Sequence, residues 1–191
     1  IEASGGLTAG AQALTYTTGT LPCAGLLGVG SAGSLRFGPT TVLTISATGT
    51  LSVIGVFGGP AIVTSNGTPG YALTVNGTLA ARFFEFRQMG AAGIVIPSTA
   101  TIAPVPNDLR SGLFDEPINV ANSVLLNVTR TTPTTFFGLN FFNSNGVLTK
   151  NVRTLSGAGV TMQNWGGSFG GPAFEDDPSS LITWAAPLNT E

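Results

Sequence analysis

Leu79-Ala80-Ala81-Arg82-Phe83-Phe84-Glu85-Phe86-Arg87-Gln88-Met89 decides the fold class, because it is the best helix candidate in the chain. Its length would make about three helical turns. The pattern argues otherwise. Phe84 and Phe86 alternate with Glu85 and Arg87, and on a strand that alternation sends both rings to one face and the ions to the other. Arg82 and Arg87 then stand beside Glu85 as an exposed strand-face ion pair. With this segment read as a strand, no helix remains. Glu, Lys, Gln and Met are scarce, while Thr, Val, Ile and Phe recur in short runs bounded by Gly, Pro or Asn-Gly. Strands are expected at 42–46, 50–57, 61–64, 72–75, 93–96, 124–129, 135–142 and 159–163. Turns are expected at Asn66-Gly67, Asn76-Gly77 and Asn145-Gly146, and a surface loop at 102–110 around Pro104 and Pro106.

Working outward from Phe86, the aromatic residues at strand ends form a ladder. Phe57, Phe86, Phe114, Phe141 and Phe169 are separated by 29, 28, 27 and 28 residues. Three of them open the same punctuation: Phe57-Gly58-Gly59-Pro60, Phe114-Asp115-Glu116-Pro117 and Phe169-Gly170-Gly171-Pro172. A small or apolar residue stands two positions before each (Gly55, Phe84, Gly112, Leu139, Gly167), and an apolar segment resumes after the turn, Val147-Leu148 among them. A period near 28 is too long for a hairpin and fits one coil of three short strands, so the expected fold is an all-β right-handed parallel β-helix with coils of about 28 residues. An antiparallel β-sandwich is the rival, since Asn-Gly turns also suit hairpins. The chain reads as one solenoid domain: 1–36 as first coil or cap, 37–172 as repeated coils, 173–191 as closing segment. The charge-free, Gly-rich stretch 21–34 suits either an interior first coil or a docking surface.

Composition narrows the function classes. Charged residues make up 8% of the 191 residues, against about 25% in ordinary soluble domains, and the net charge is -2 with only 7 basic residues. That argues against nucleic acid, whose phosphates need a concentrated cationic face. No apolar run reaches the roughly 18 residues of a membrane helix. There is no His, which removes the commonest general base and metal ligand, and the single Cys23 excludes an internal disulfide. Cys23 is expected to be a small buried hydrophobe. An Ile at position 1 fits a chain whose leader has been removed, or a segment of something longer.

The motifs with chemical meaning each have a plainer reading. Glu175, Asp176 and Asp177 offer hard oxygen ligands for Ca2+, but Pro178 beside them favours a bend or cap. Paired carboxylates for glycan hydrolysis could be drawn from Asp108, Asp115, Glu116, Asp176 and Asp177; Asp115 and Glu116 fill the slot of Gly58-Gly59 and are expected at an exposed corner. Gly28-Val29-Gly30-Ser31-Ala32-Gly33 has dinucleotide-type glycine spacing without the helix or acidic residue that should follow. Asn66, Asn76 and Asn127 head glycosylation sequons. Thr15/Thr17 and Thr99/Thr101 form ice-binding-type pairs that do not recur at the 28-residue period. No catalytic residue, cofactor or metal is expected.

The chain end, Gly166-Gly167-Ser168-Phe169-Gly170-Gly171-Pro172-Ala173-Phe174-Glu175-Asp176-Asp177-Pro178-Ser179-Ser180-Leu181-Ile182-Thr183-Trp184, resembles the terminal stretch of large bacterial right-handed parallel β-helix surface proteins. In those, a Gly-rich strand is followed by Glu, an Asp-containing bend and a Leu-Ile-x-Trp ending. The resemblance implies secretion, a cell-surface or matrix location, and no catalytic residues. The expected function is a non-catalytic extracellular structural protein, a self-assembling fibre subunit or adhesin-type surface module. Its partner would be itself, through head-to-tail or lateral contacts. A carbohydrate- or ice-binding solenoid, with surface glycans as possible ligands, is the alternative; a polysaccharide-degrading enzyme is the third.

Overall fold

The computed structural model describes residues 7–118, 120–146 and 149–185; the expected apolar segment at Val147-Leu148 lies outside them. The first coil is β1 (Leu7–Ala9), β2 (Ala13–Tyr16) and β3 (Thr20–Cys23), and the second β4 (Leu26–Val29), β5 (Ser34–Phe37) and β6 (Val42–Ile45). The third is β7 (Thr50–Ile54), β8 (Ala61–Ser65) and β9 (Tyr71–Val75), and the fourth β10 (Thr78–Arg82), β11 (Phe84–Arg87) and β12 (Met89–Ile96). The fifth splits its first side into β13 (Thr101–Ile102) and β14 (Asp108–Arg110), then runs β15 (Gly112–Asp115) and β16 (Ser123–Val128). The sixth is β17 (Thr134–Phe137), β18 (Leu139–Phe141) and β19 (Thr149–Arg153); β20 (Val160–Gln163), a 3-10 turn at Pro172–Phe174 and β21 (Ile182–Trp184) close the chain.

Each strand pairs in parallel with its counterpart one coil on, giving three faces: β1-β4-β7-β10-β13/β14, β2-β5-β8-β11-β15-β18 and β3-β6-β9-β12-β16-β19, with β17-β20-β21 as a further sheet. This is a right-handed parallel β-helix of about six coils, and the sandwich alternative falls because every ladder between named strands is parallel. Right-handed crossover is the rule for parallel strands in one sheet. The coils are unequal. In register, 20 residues separate Leu7 from Leu27, 28 separate Glu85 from Leu113 and 32 separate Ile94 from Leu126, with a mean near 26. The mean lies close to the expected coil of about 28 residues, and the spread comes from corner loops of different length.

The core is the inside of the prism. On the second face, Leu14, Leu35, Val63, Phe86, Phe114 and Phe141 follow one another in register, one per coil. Phe86 stacks on Phe114 with centroids 5.6 Å apart, and Phe114 on Phe141 at 5.4 Å and 13°. Such pairs add about 0.5–1.5 kcal/mol each beyond burial. Phe57 is not in this column. It is 90% exposed in a turn between Val56 and Gly59, and Val63 holds its expected place. The third coil carries extra residues at that corner, which pushes Phe57 out of phase. Phe169 is buried but packs against Phe174 in a tilted pair with centroids 4.3 Å apart, while Trp184 meets Phe141 edge-on at 6.1 Å. Gly112 makes room in the column beside it: a Cβ there would stand 2.1 Å from the Phe84 ring.

The segment 79–89 is strand throughout its character but bends twice. Phe83 (φ 46°) and Gln88 (φ 56°) adopt the left-handed conformation and turn the chain from the first face to the second and from the second to the third. The same bend recurs at Ser111 (φ 53°), Gly138 (φ 68°) and Asn164 (φ 49°). These corners stack, since the N–H of Phe83 donates to the Arg110 carbonyl, that of Ser111 to Phe137 and that of Gly138 to Gln163. The ladder bonds offset the roughly 1–2 kcal/mol that the left-handed region costs an L-residue. The expected loop at 102–110 is shortened, because Thr101–Ile102 and Asp108–Arg110 both pair with β10.

Two outcomes follow. Urea unfolding of Phe114→Ala should lose about 3–5 kcal/mol, as expected for a buried Phe cut to Ala, while Phe57→Ala should stay within about 0.5 kcal/mol of the native chain; equal losses would contradict the column. At the corner, Ser111→Val should cost at least about 1 kcal/mol, a β-branched residue being worst suited to positive φ, whereas Ser111→Gly should leave the melting temperature equal or raised.

Candidate functional site

The two ends of the prism differ, and the difference organises the site. At the C-terminal end the core is covered. The rings of Trp165 and Trp184 meet edge-on at 5.3 Å, and the Trp165 indole N–H donates to the Ala185 carbonyl at 2.6 Å. The buried Asn151 fastens the closing segment from beneath: its amide donates to the carbonyls of Phe169 (3.0 Å) and Gly171 (2.8 Å), and its oxygen accepts the Val152 N–H. Backbone bridges from Asn140 to Gly166 and from Arg153 to Asp176 carry the second and third faces into this cover.

The acidic residues of the cover serve three separate purposes. Glu175 accepts the Trp184 indole N–H, Asp176 pairs with Arg153 at 2.6 Å, and Asp177 accepts the Ile182 N–H at 2.6 Å. Among the described residues no three His, Cys, Asp or Glu side chains come together as a metal cage. Each carboxylate of Glu175, Asp176 and Asp177 is held by a different partner, which ties this stretch into the bend of the closing segment.

Other residues singled out in the sequence are dispersed. Asp115 is buried, correcting the expectation of an exposed corner: it accepts the N–H groups of Glu116 and Ser144 and the Ser144 hydroxyl, clamping the fifth coil to the sixth. The turn directs its short side chain onto the next coil instead of into solvent. Glu116 takes the left-handed corner beside it (φ 52°). Glu85 pairs with Arg87 at 2.8 Å, but Arg82 is on the first face, beyond the Phe83 bend, and lies over the Phe83 ring at 4.6 Å. Cys23 is buried and free, its thiol 3.3 Å from the Gly25 carbonyl. The glycines at 28–33 lie in β4 and the corner after it, with no helix following. A threonine column went unseen in the sequence: Thr50, Thr78 and Thr101 align on the first face at spacings that only the register reveals.

Asp108 and Arg110 form a two-pronged ion pair on the outer first face. Hydrogen bonding to the guanidinium holds the Asp108 carboxyl below its ordinary range, and the carboxylate raises Arg110 in turn. A carboxyl with a lowered native value stabilises the fold above its unfolded range and loses that contribution as pH falls through it. Acid unfolding of Asp108→Asn should therefore lack part of the native acid limb and converge with the native curve at the acid extreme; superimposable curves would show the pair to be inert.

Among the described residues the core is open at the N-terminal end. Leu7 is 37% exposed, whereas Leu27, Leu51 and Leu79, which follow it in register, are buried. Leu7, Leu14, Tyr16, Leu21, Leu27 and Phe37 line an apolar cavity at this end. Among the described strands β1, β2 and β3 each pair on one side only. Ser34 and Gly38 donate to the carbonyls of Gln12 and Tyr16, so Leu14 and Tyr16 face the second coil while Ala13 and Thr15 turn their backbone groups outward. On β3, Val42 and Ser46 donate to Gly19 and Cys23, which puts Pro22, with no N–H to offer, on the outer edge. No residue from 3 to 35 is charged.

A second feature lies on the side of the prism. The Val56–Gly59 turn holds Phe57 out beside Phe83, ring centroids 6.4 Å apart, over a shallow groove bordered by Glu85, Ser111 and Asn140. Comparison of the chain with protein-family models, with curated proteins and with solved structures finds no match in any of the three.

Proposed function

We propose that the chain is a non-catalytic extracellular structural module, a subunit of a fibre or an adhesin-type surface assembly. The observation that carries this reading is the unlike pair of ends: among the described residues, a rod of parallel rungs is covered by Trp165, Trp184 and Phe174 at one end and has an apolar cavity and strand edges paired on one side only at the other. Bare parallel edges are a template for further strands. The low charge of the chain and the resemblance of 166–184 to the endings of bacterial surface β-helix proteins support an extracellular or cell-surface setting.

The exposed Phe57 above a groove with Glu85, Ser111 and Asn140 favours a second reading, glycan binding, in which the ring stacks on a sugar face and the polar side chains take its hydroxyls. Negative-stain electron microscopy of the purified chain separates the two. Joined rods, two or more prisms long, are expected for the structural module; single prisms that retain a bound glycan would replace it with the second reading.

A further inference from the structure

We infer that Asn66 is a site of spontaneous self-modification. Its side chain closes on the Gly67 nitrogen, loses ammonia and becomes aspartate or isoaspartate, while the fold holds the same dipeptide intact at 76 and 145. This goes beyond the structural-module reading and does not depend on it.

The reaction needs an asparagine whose side-chain carbonyl can be reached by the backbone nitrogen of the next residue. Glycine hinders that approach least, because it has no Cβ. The sequence offers three such pairs, Asn66-Gly67, Asn76-Gly77 and Asn145-Gly146, and the dipeptide alone does not rank them. Hydroxide takes the Gly67 amide proton, and the nitrogen attacks Asn66 Cγ. A C–N bond forms, the Cγ–Nδ2 bond breaks, and the departing nitrogen takes a proton from water to leave as ammonia. Water then opens the five-membered imide. Cleavage of the new bond gives aspartate; cleavage of the original peptide bond leaves the chain running through Cβ and Cγ, an isoaspartate one carbon longer. Water is the only co-reactant.

The nitrogen must lack an acceptor, and the backbone must be free to rotate beneath the side chain. Asn66-Gly67 meets both conditions. Both residues are exposed, and a Cβ at Gly67 would meet nothing within 4 Å. The Asn66 N–H donates to the Phe37 carbonyl at 2.7 Å and the Gly70 N–H to the Gln88 carbonyl at 3.0 Å; between them neither Gly67 nor Thr68 donates a backbone hydrogen bond.

The other two pairs are restrained. The Gly146 N–H donates to the Asn143 carbonyl at 2.9 Å, and the Asn145 side-chain amide donates to the Pro117 carbonyl at 2.9 Å, so nucleophile and electrophile are both engaged. Gly77 is buried, and a Cβ there would stand 2.2 Å from the carbonyl oxygens of Ser46 and Gly49. Around it the N–H groups of Asn76 and Thr78 donate to Ile45 and Gly49, and that of Thr101 donates to the Gly77 carbonyl. Rotation at either pair requires local opening first, and the cost of opening divides the rate.

At position 66 the product adds a negative charge to a chain of net charge -2, beside the groove lined by Thr68, Pro69, Gln88 and Glu116. The extra carbon of isoaspartate falls in a corner, where coil length already varies, and leaves the rungs as they are.

The test is peptide-mapping mass spectrometry of the full chain held at mildly alkaline pH, with isoaspartate told from aspartate by electron-transfer fragmentation. In the folded chain, position 66 is expected to convert at least about tenfold faster than positions 76 and 145, the factor a modest opening cost imposes. In concentrated urea that preference should collapse to about twofold or less, because the opening cost is gone. Asn66→Gln, whose longer side chain would have to close a six-membered ring, should abolish the folded-state signal with the strand circular dichroism retained. A smaller preference for position 66 in the folded chain overturns the inference. So does a preference that persists in urea, which would come from local sequence instead of the fold.

Discussion

Parallel stacking at about 4.8 Å requires every inward position to accept the side chain of the coil above and the coil below. That constraint explains most of the molecule. It places Phe86, Phe114 and Phe141 in one column, puts Leu27, Leu51 and Leu79 in another, and turns Gly112 into a pocket for the Phe84 ring. It also fixes the corners. A left-handed residue at one corner supplies the N–H that the next coil's carbonyl needs, so the same bend is copied from Phe83 to Ser111 to Gly138.

The alternation at 84–87 and the recurrence of Phe from 86 to 141 made the fold class and the interior column legible in the sequence, because both are direct images of the inward-outward alternation of strands. The bends at Phe83 and Gln88 were not legible. Sharp corners are usually signalled by Gly, Asn or Pro, and here the ladder of corner hydrogen bonds, not the residue's own preference, holds the conformation. For the same reason Arg82 was assigned to the wrong face. Phe57 misled in the opposite way: it carries the right punctuation, but the register that excludes it depends on loop length, which no local pattern encodes.

The candidate site was only partly readable. Residues 21–34 stood out as charge-free, and the closing segment stood out by its acids and Trp184. What those acids do depends on partners far along the chain: Arg153 for Asp176, and Ser144 for Asp115. The open end is likewise a property of pairing. A Leu at position 7 looks like any other interior leucine until the register shows that, among the described strands, β1 pairs on one side only.

The spread in coil length has a consequence for how such a surface diversifies. Between Leu7 and Leu27 the chain needs 20 residues to return to its starting side; between Ile94 and Leu126 it uses 32, yet both returns deliver an apolar group to the same interior. Segments can therefore be gained or lost at corners, as the turn bearing Phe57 illustrates, without disturbing a single inward side chain. Interior and exterior are free to drift under separate selection, so the rod can acquire new contact surfaces while its spine stays as it is.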